Sequence, residues 1–175
     1  MNKWIFLFLN LMFWQTGMAQ MADAEAVGKA LGNYEWYFNE MSHPKKKKAN
    51  AAVQQFIALF ENGGAKHLND LPGQNPANLL SVQQYAGEVM VRFKGKKISC
   101  RLDFATLNLA LPITEAGRKL YPVTISKSIQ HHANKESVTV TFYFIERGGK
   151  YLIHKLTHDK DGNLTTYSKQ ELAKE

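Results

Sequence analysis

The 175-residue sequence has a single cysteine, Cys100, so it can form no internal disulfide and no cysteine-rich zinc site, each of which needs at least two thiols. Proline is sparse, at 5 residues, and glycine ordinary, at 12, which excludes collagen-like and proline-rich linker chains. No apolar run reaches the roughly twenty residues that a bilayer-spanning helix needs. Acidic residues are the minority, 15 against 22 Lys and Arg, for a formal charge of +7. That excess bears on solubility and on attraction to anions, not on fold. No motif specifies a reaction. What is present is 45% hydrophobic and 11% aromatic residues, enough apolar mass for one core and too much for a disordered chain.

The first residues read as a secretory leader. Lys3 supplies a positive start, residues 4–14 an apolar stretch, and Gly17-Met18-Ala19 the small residues that a signal peptidase reads. The expected organisation is a signal peptide over residues 1–19, a single α+β domain over 20–166 and a C-terminal tail over 167–175. The mature protein is expected to be exported, periplasmic or secreted, with no transmembrane segment. A lipid anchor would need a cysteine at the cleavage point, and Cys100 lies far beyond it.

In the mature chain, Val27, Leu31, Tyr34, Phe38 and Met41 recur at helical spacing and predict a helix over residues 24–41, with Asp23 as its N-cap. Trp36 and Tyr37 widen its apolar surface. Ser42-His43-Pro44 breaks it, and Ala49, Ala52, Val53, Phe56, Ile57 and Phe60 predict a second helix that Asn62-Gly63-Gly64 ends. Residues 63–80 read as an irregular connection. Beyond them the period changes to alternation. Val89, Val91 and Phe93, then Ile98, Cys100, Leu102 and Phe104, predict a hairpin turning at Lys94-Gly95-Lys96. A helical turn is expected near 114–120, followed by strands over 121–131, 137–146 and 150–157. Helices first and a meandering sheet last give an α+β class, with N-terminal helices packed on a curved antiparallel β-sheet.

This layout resembles the NTF2-like, or SnoaL-like, superfamily of cone-shaped domains. The resemblance rests on the first helix and on the strands Val123 to His131, Ser137 to Phe144 and Arg147-Gly-Gly-Lys-Tyr-Leu-Ile-His154. It implies a cavity between sheet and helices, in which the superfamily's enzymes place an Asp, His or Tyr as acid or base.

Alternation sorts the candidates. Asp103 falls out of phase with Leu102 and Phe104 and reads as a surface carboxylate. His154 falls in phase with Leu152 and Leu156 and is the one catalytic candidate, with Tyr34 or Tyr85 as its hydrogen-bonding partner. The expected ligand pocket is Tyr34, Phe38, Phe56, Phe60, Tyr85, Phe142 and His154. No metal or cofactor is expected: His131-His132 and the His154/His158 pair stand on strands, where neither spacing brings two rings together. Cys100 reads as a small buried hydrophobe. The β-branched and aromatic outer face Thr139, Thr141, Tyr143 and Ile145 suggests a cover, either a second copy of the chain in a homodimer or the C-terminal segment. Lys45 to Lys48 at the start of the second helix oppose the helix dipole and hint at an anionic partner, with nucleic acid disfavoured by export. The sequence therefore supports an exported, non-catalytic binding or scaffold module for a small hydrophobic ligand or envelope partner. The alternative is an enzyme of ketosteroid-isomerase or dehydratase style.

Overall fold

The computed structural model describes residues 24–74 and 78–158. The expected leader and its cleavage point, the Asp23 cap and the tail over 167–175 lie outside the described residues. Helix α1 spans residues 24–41 and buries the predicted stripe of Val27, Leu31, Tyr34, Phe38 and Met41. Of the two aromatics off that stripe, Trp36 is 63% exposed, whereas Tyr37 is partly buried against the core. Helix α2, Lys46–Ile57, buries Ala49, Ala52, Val53 and Phe56. It ends earlier than its apolar pattern does, because the backbone at Phe60 leaves the helix to bridge Ile153.

Two expectations fail between residues 63 and 93. The stretch read as irregular contains β1, Lys66–Leu68, and β2, Leu79–Ser81, an antiparallel pair. The stretch read as a strand is a helix, α3, Val82–Phe93. Val89, Val91 and Phe93 do alternate, but Val82, Tyr85, Ala86, Val89 and Phe93 also form a helical stripe, and those five are the buried ones. Val91, which alternation would place inside, is 75% exposed. A capping box fixes the start: the Ser81 hydroxyl accepts from the Gln84 amide, and the Gln84 side chain accepts from the Ser81 amide, satisfying two otherwise orphaned donors.

The rest is sheet: β3 (Ile98–Leu109), β4 (Ile113–Glu115), β5 (Arg118–His131), β6 (Asn134–Arg147) and β7 (Lys150–His158). The helical turn expected near 114–120 is a hairpin between β4 and β5. Ala116 and Gly117 both take positive φ there, 49° and 74°, the geometry that suits the twist of a two-residue hairpin loop. The strand order is β2-β1-β7-β6-β5-β3, with β4 on β5. Strand pairing is antiparallel except where β1 meets β7, and the isolated Phe60–Ile153 bridge is likewise parallel, so the curved sheet is mixed and mostly antiparallel. A register shift between Asp103 and Asn108 turns Phe104 outward to 46% exposure, against the phase read from the sequence. Asp103 faces solvent as expected, and its carboxylate caps the Ala105 amide.

β3 is an edge strand, and α1 covers that edge. Asn39 bonds both backbone groups of Cys100, accepting from its N–H at 2.7 Å and donating to its carbonyl at 3.1 Å. Glu35, one helical turn earlier, accepts from the Leu102 amide at 2.8 Å. Residues four apart on a helix share a face, and residues two apart on a strand edge expose their amides the same way. The helix is thereby fixed across the sheet, with Tyr34 and Phe38 turned into the concave side.

Candidate functional site

The concave side of the sheet holds a polar cluster set within aromatic rings. Tyr34 comes from α1, Tyr85 from α3, His67 from β1, Asp70 from the loop after β1, and Lys127 from the middle of β5. All five are buried. Lys127 shares the inward phase of β5 with Val123, Ile125 and Ile129, which carries an ammonium into the core. Its Nζ lies 2.8 Å from Asp70 Oδ2, an ion pair not aligned as a directed hydrogen bond. It donates to Tyr34 Oη at 2.6 Å and more weakly to Tyr85 Oη at 3.5 Å. Tyr85 donates to Asp70 Oδ1 at 2.8 Å.

His67 completes the chain of bonds. Its Nδ1 is 2.6 Å from the Leu68 carbonyl, which can only accept, so Nδ1 carries the proton. Nε2 then accepts from Tyr34 Oη at 2.8 Å. Burial, followed by the Lys127 charge, lowers the His67 pKa to about 3, so the ring is neutral. Burial, with the Asp70 charge adding to it, raises both phenols well above their ordinary value. Cys100, whose side chain lies in the same core, is pushed up to about 12 by burial. The thiol is therefore protonated and unreactive at neutral pH.

Six of the seven predicted pocket residues meet here. Tyr34 lies 5.0 Å from Phe56, 6.4 Å from Phe60 and 5.1 Å from Phe142, Phe38 lies 6.2 Å from Tyr85, and the His67 ring stacks on Tyr85 at 3.6 Å. His154 is elsewhere. A register shift at Tyr143/Phe144 changes the phase of β7, so Ile153 and Leu156 enter the core and His154 turns to Glu61. The His154 Nδ1 is 2.6 Å from Glu61 Oε2, and Arg147 and Arg118 complete the group. The bond from His154 first, and the two arginines after it, hold the Glu61 carboxyl below the usual carboxylate range. His154 thus bonds neither Tyr34 nor Tyr85. The outer face of β6 is partly covered by the chain's own side chains: Thr141 bonds Thr124 at 2.9 Å, and Lys155, held by Glu115, lies over the Tyr143 ring.

Sequence reasoning missed Lys127, His67 and Asp70. A signal existed for Lys127 alone, a charged residue in phase with Val123, Ile125 and Ile129. His67 and Asp70 fall where no period could be read. The His131 and His132 rings, expected apart on a strand, lie 4.1 Å from one another, His132 taking a positive φ of 55° at the end of β5; among the described residues no three His, Cys, Asp or Glu side chains come together as a metal site.

Two of the surface concavities are formed by described residues close to the elements above. One, of about 690 Å³, lies between the α1–α2 turn and the α3–β3 turn and includes Ser42, His43, Pro44, Lys96, Lys97 and His132. The other, of about 280 Å³, adjoins Arg118, Tyr121 and Arg147. None of the seven residues of the expected pocket lines either one.

No protein-family model matches this sequence, and no curated protein matches it. Solved structures do match. An NTF-2 like protein of unknown function from Shewanella oneidensis MR-1 superposes with a TM-score of 0.51 over 77% of this chain and 97% of its own, at 6% identity. The fold is NTF2-like. A function-unknown protein from Mycobacterium tuberculosis shares it, with a TM-score of 0.53 at 9% identity over 82% of this chain and 74% of its own. So does a candidate scytalone dehydratase from Novosphingobium aromaticivorans, with a TM-score of 0.50 at 7% identity over 85% and 87%. In this NTF2-like cone the five-residue cluster occupies the space between helices and sheet.

Proposed function

We propose that the protein is an exported, non-catalytic NTF2-like binding module that uses its cone as a framework and meets its partner on its surface. The observation that carries this reading is how the interior groups are used. Both ring nitrogens of His67, both phenols and the Lys127 ammonium are committed to one another, to Asp70 or to backbone. A group so committed is not offered to a substrate. A small apolar ligand would have to part rings already in contact. The test is native-state hydrogen exchange at the backbone amides of Ile125, Lys127 and Phe142. A framework core exchanges only with global unfolding. Exchange through a much cheaper local opening would mean that the cone opens, and would overturn the reading.

One observation favours a dehydratase-style enzyme instead. Five ionisable side chains converge, and next to Asp70 the Asn69 Oδ1 is buried without a partner among the described residues. Strongly shifted groups beside an unsatisfied polar atom are what an acid–base site would look like. In that reading His67, not His154, is the base, and the same exchange experiment would reveal the opening that a substrate needs.

A further inference from the structure

Two lysine runs far apart in the sequence meet on one face. The Gly95 amide donates to the Ser42 carbonyl at 2.9 Å, and Pro44 lies against Gly95. The turn before α2 and the turn before β3 are thereby fastened together. Lys45, Lys46, Lys47 and Lys48 consequently stand beside Lys94, Lys96 and Lys97, all seven exposed. Every described ion pair lies elsewhere: Glu61, Asp70 and Glu115 take their cations from Arg118, Arg147, His154, Lys127 and Lys155.

The start of α2 adds to this field. Its N-cap is Lys45, with no capping side chain and no acidic residue in the first turn. Positive side chains therefore sit on the positive end of the helix, an arrangement that costs local stability until an anion is supplied. The concavity of about 690 Å³ opens where these turns meet: Lys96 and Lys97 of the second run line it directly, and His43 and Pro44, immediately before the first run, line it on the other side, so that Lys45 to Lys48 flank it rather than wall it. Its lining has no Phe, Tyr or Trp, the platforms on which proteins mostly stack nucleobases, and the two rings it does have are engaged within the chain: His43 Nδ1 accepts from the Lys45 amide at 3.0 Å, and the His132 ring lies 4.1 Å from that of His131. It does present the Ser99 hydroxyl and the Gln130 side chain, which suit the hydroxyl groups of sugars.

We propose that this groove binds a strand of acidic polysaccharide, with its carboxylates on the two lysine runs and its hydroxyls against Ser99 and Gln130. The proposal rests on the surface-binding reading above and names the class of partner.

The experiment uses the full mature chain with polygalacturonate as probe, titrated by calorimetry at low and high salt. Saturable binding that weakens steeply with salt is expected, because charge neutralisation releases counterions. Lys96→Gln/Lys97→Gln and Lys45→Gln/Lys47→Gln should each weaken binding by about tenfold. Lys96→Arg/Lys97→Arg should retain it, and the distant Lys119→Gln/Lys150→Gln pair should leave it unchanged. All of these positions are exposed, and an unchanged melting temperature will show that each variant folds. Absence of saturable binding overturns the proposal. So does indifference to the groove substitutions, or equal affinity for single-stranded DNA or for phosphatidylglycerol vesicles. The length of the polymer after incubation separates the two readings. Intact, bound polymer supports both, shortened polymer overturns the non-catalytic reading alone, and unbound polymer with a protected core overturns this proposal alone.

Discussion

Lys127 is a charge placed where the strand's alternation calls for an aliphatic side chain, and its partners explain how it is tolerated. Removing an ammonium or carboxylate from water costs several kcal/mol, which Asp70 and the two phenols offset. Breaking the pair from one side should be severe: Lys127→Met, leaving Asp70 buried and unpaired, is expected to lower unfolding free energy by about 3–5 kcal/mol. Lys127→Met with Asp70→Leu should recover much of that, because no buried charge is then left. Urea denaturation of the two single variants and the double variant measures this cycle. His67 sets a second expectation. The unfolded ring takes up a proton near pH 6.5, its ordinary value, whereas the native ring resists protonation down to about 3. The unfolded state therefore binds more protons across that window. Stability should be at its full value above pH 6.5 and fall on acidification by at most about 1.4 kcal/mol per pH unit. His67→Gln, which keeps an acceptor for Tyr34, should flatten this dependence between pH 6.5 and 4, as read by denaturation at each pH.

At the scale of elements, α1 works as a clamp on the sheet edge as much as a core helix. Asn39→Ala would strip partners from the Cys100 N–H and carbonyl at once. The expected loss is about 1–3 kcal/mol, since buried backbone groups left unpaired cost more than an ordinary hydrogen bond contributes. Asn39→Asp, which keeps only the acceptor, should fall between. Thermal unfolding of both variants checks this ordering. The misread element, α3, shows why local pattern has limits. Val89, Val91 and Phe93 satisfy a period of two over three positions, too few to exclude a period of 3.6. What decides for helix is the Ser81/Gln84 capping box together with Val82, Tyr85 and Ala86 just upstream, where a wider window would have met them. β1 and β2 are three residues each, too short for any period, and they exist because β7 supplies an edge for β1.

For the whole molecule, the leader reading makes a direct prediction: chain expressed with residues 1–19 and recovered from the periplasm or medium should begin at Gln20, as N-terminal sequencing would show. The sequence by itself determined α1 and α2 with their aromatic stripe, and the long strands that follow them from Ile98 onward, because these depend on periodicities carried within one segment. It also determined the two lysine runs, though not that they adjoin. Only the tertiary structure decided which ionisable groups share the interior. His67, Asp70 and Lys127 meet through pairings between distant segments, and His154 leaves the core through a register shift that no repeat in the sequence encodes. Backbone pairing and packing set those distances, and neither is a property of any stretch of chain taken alone.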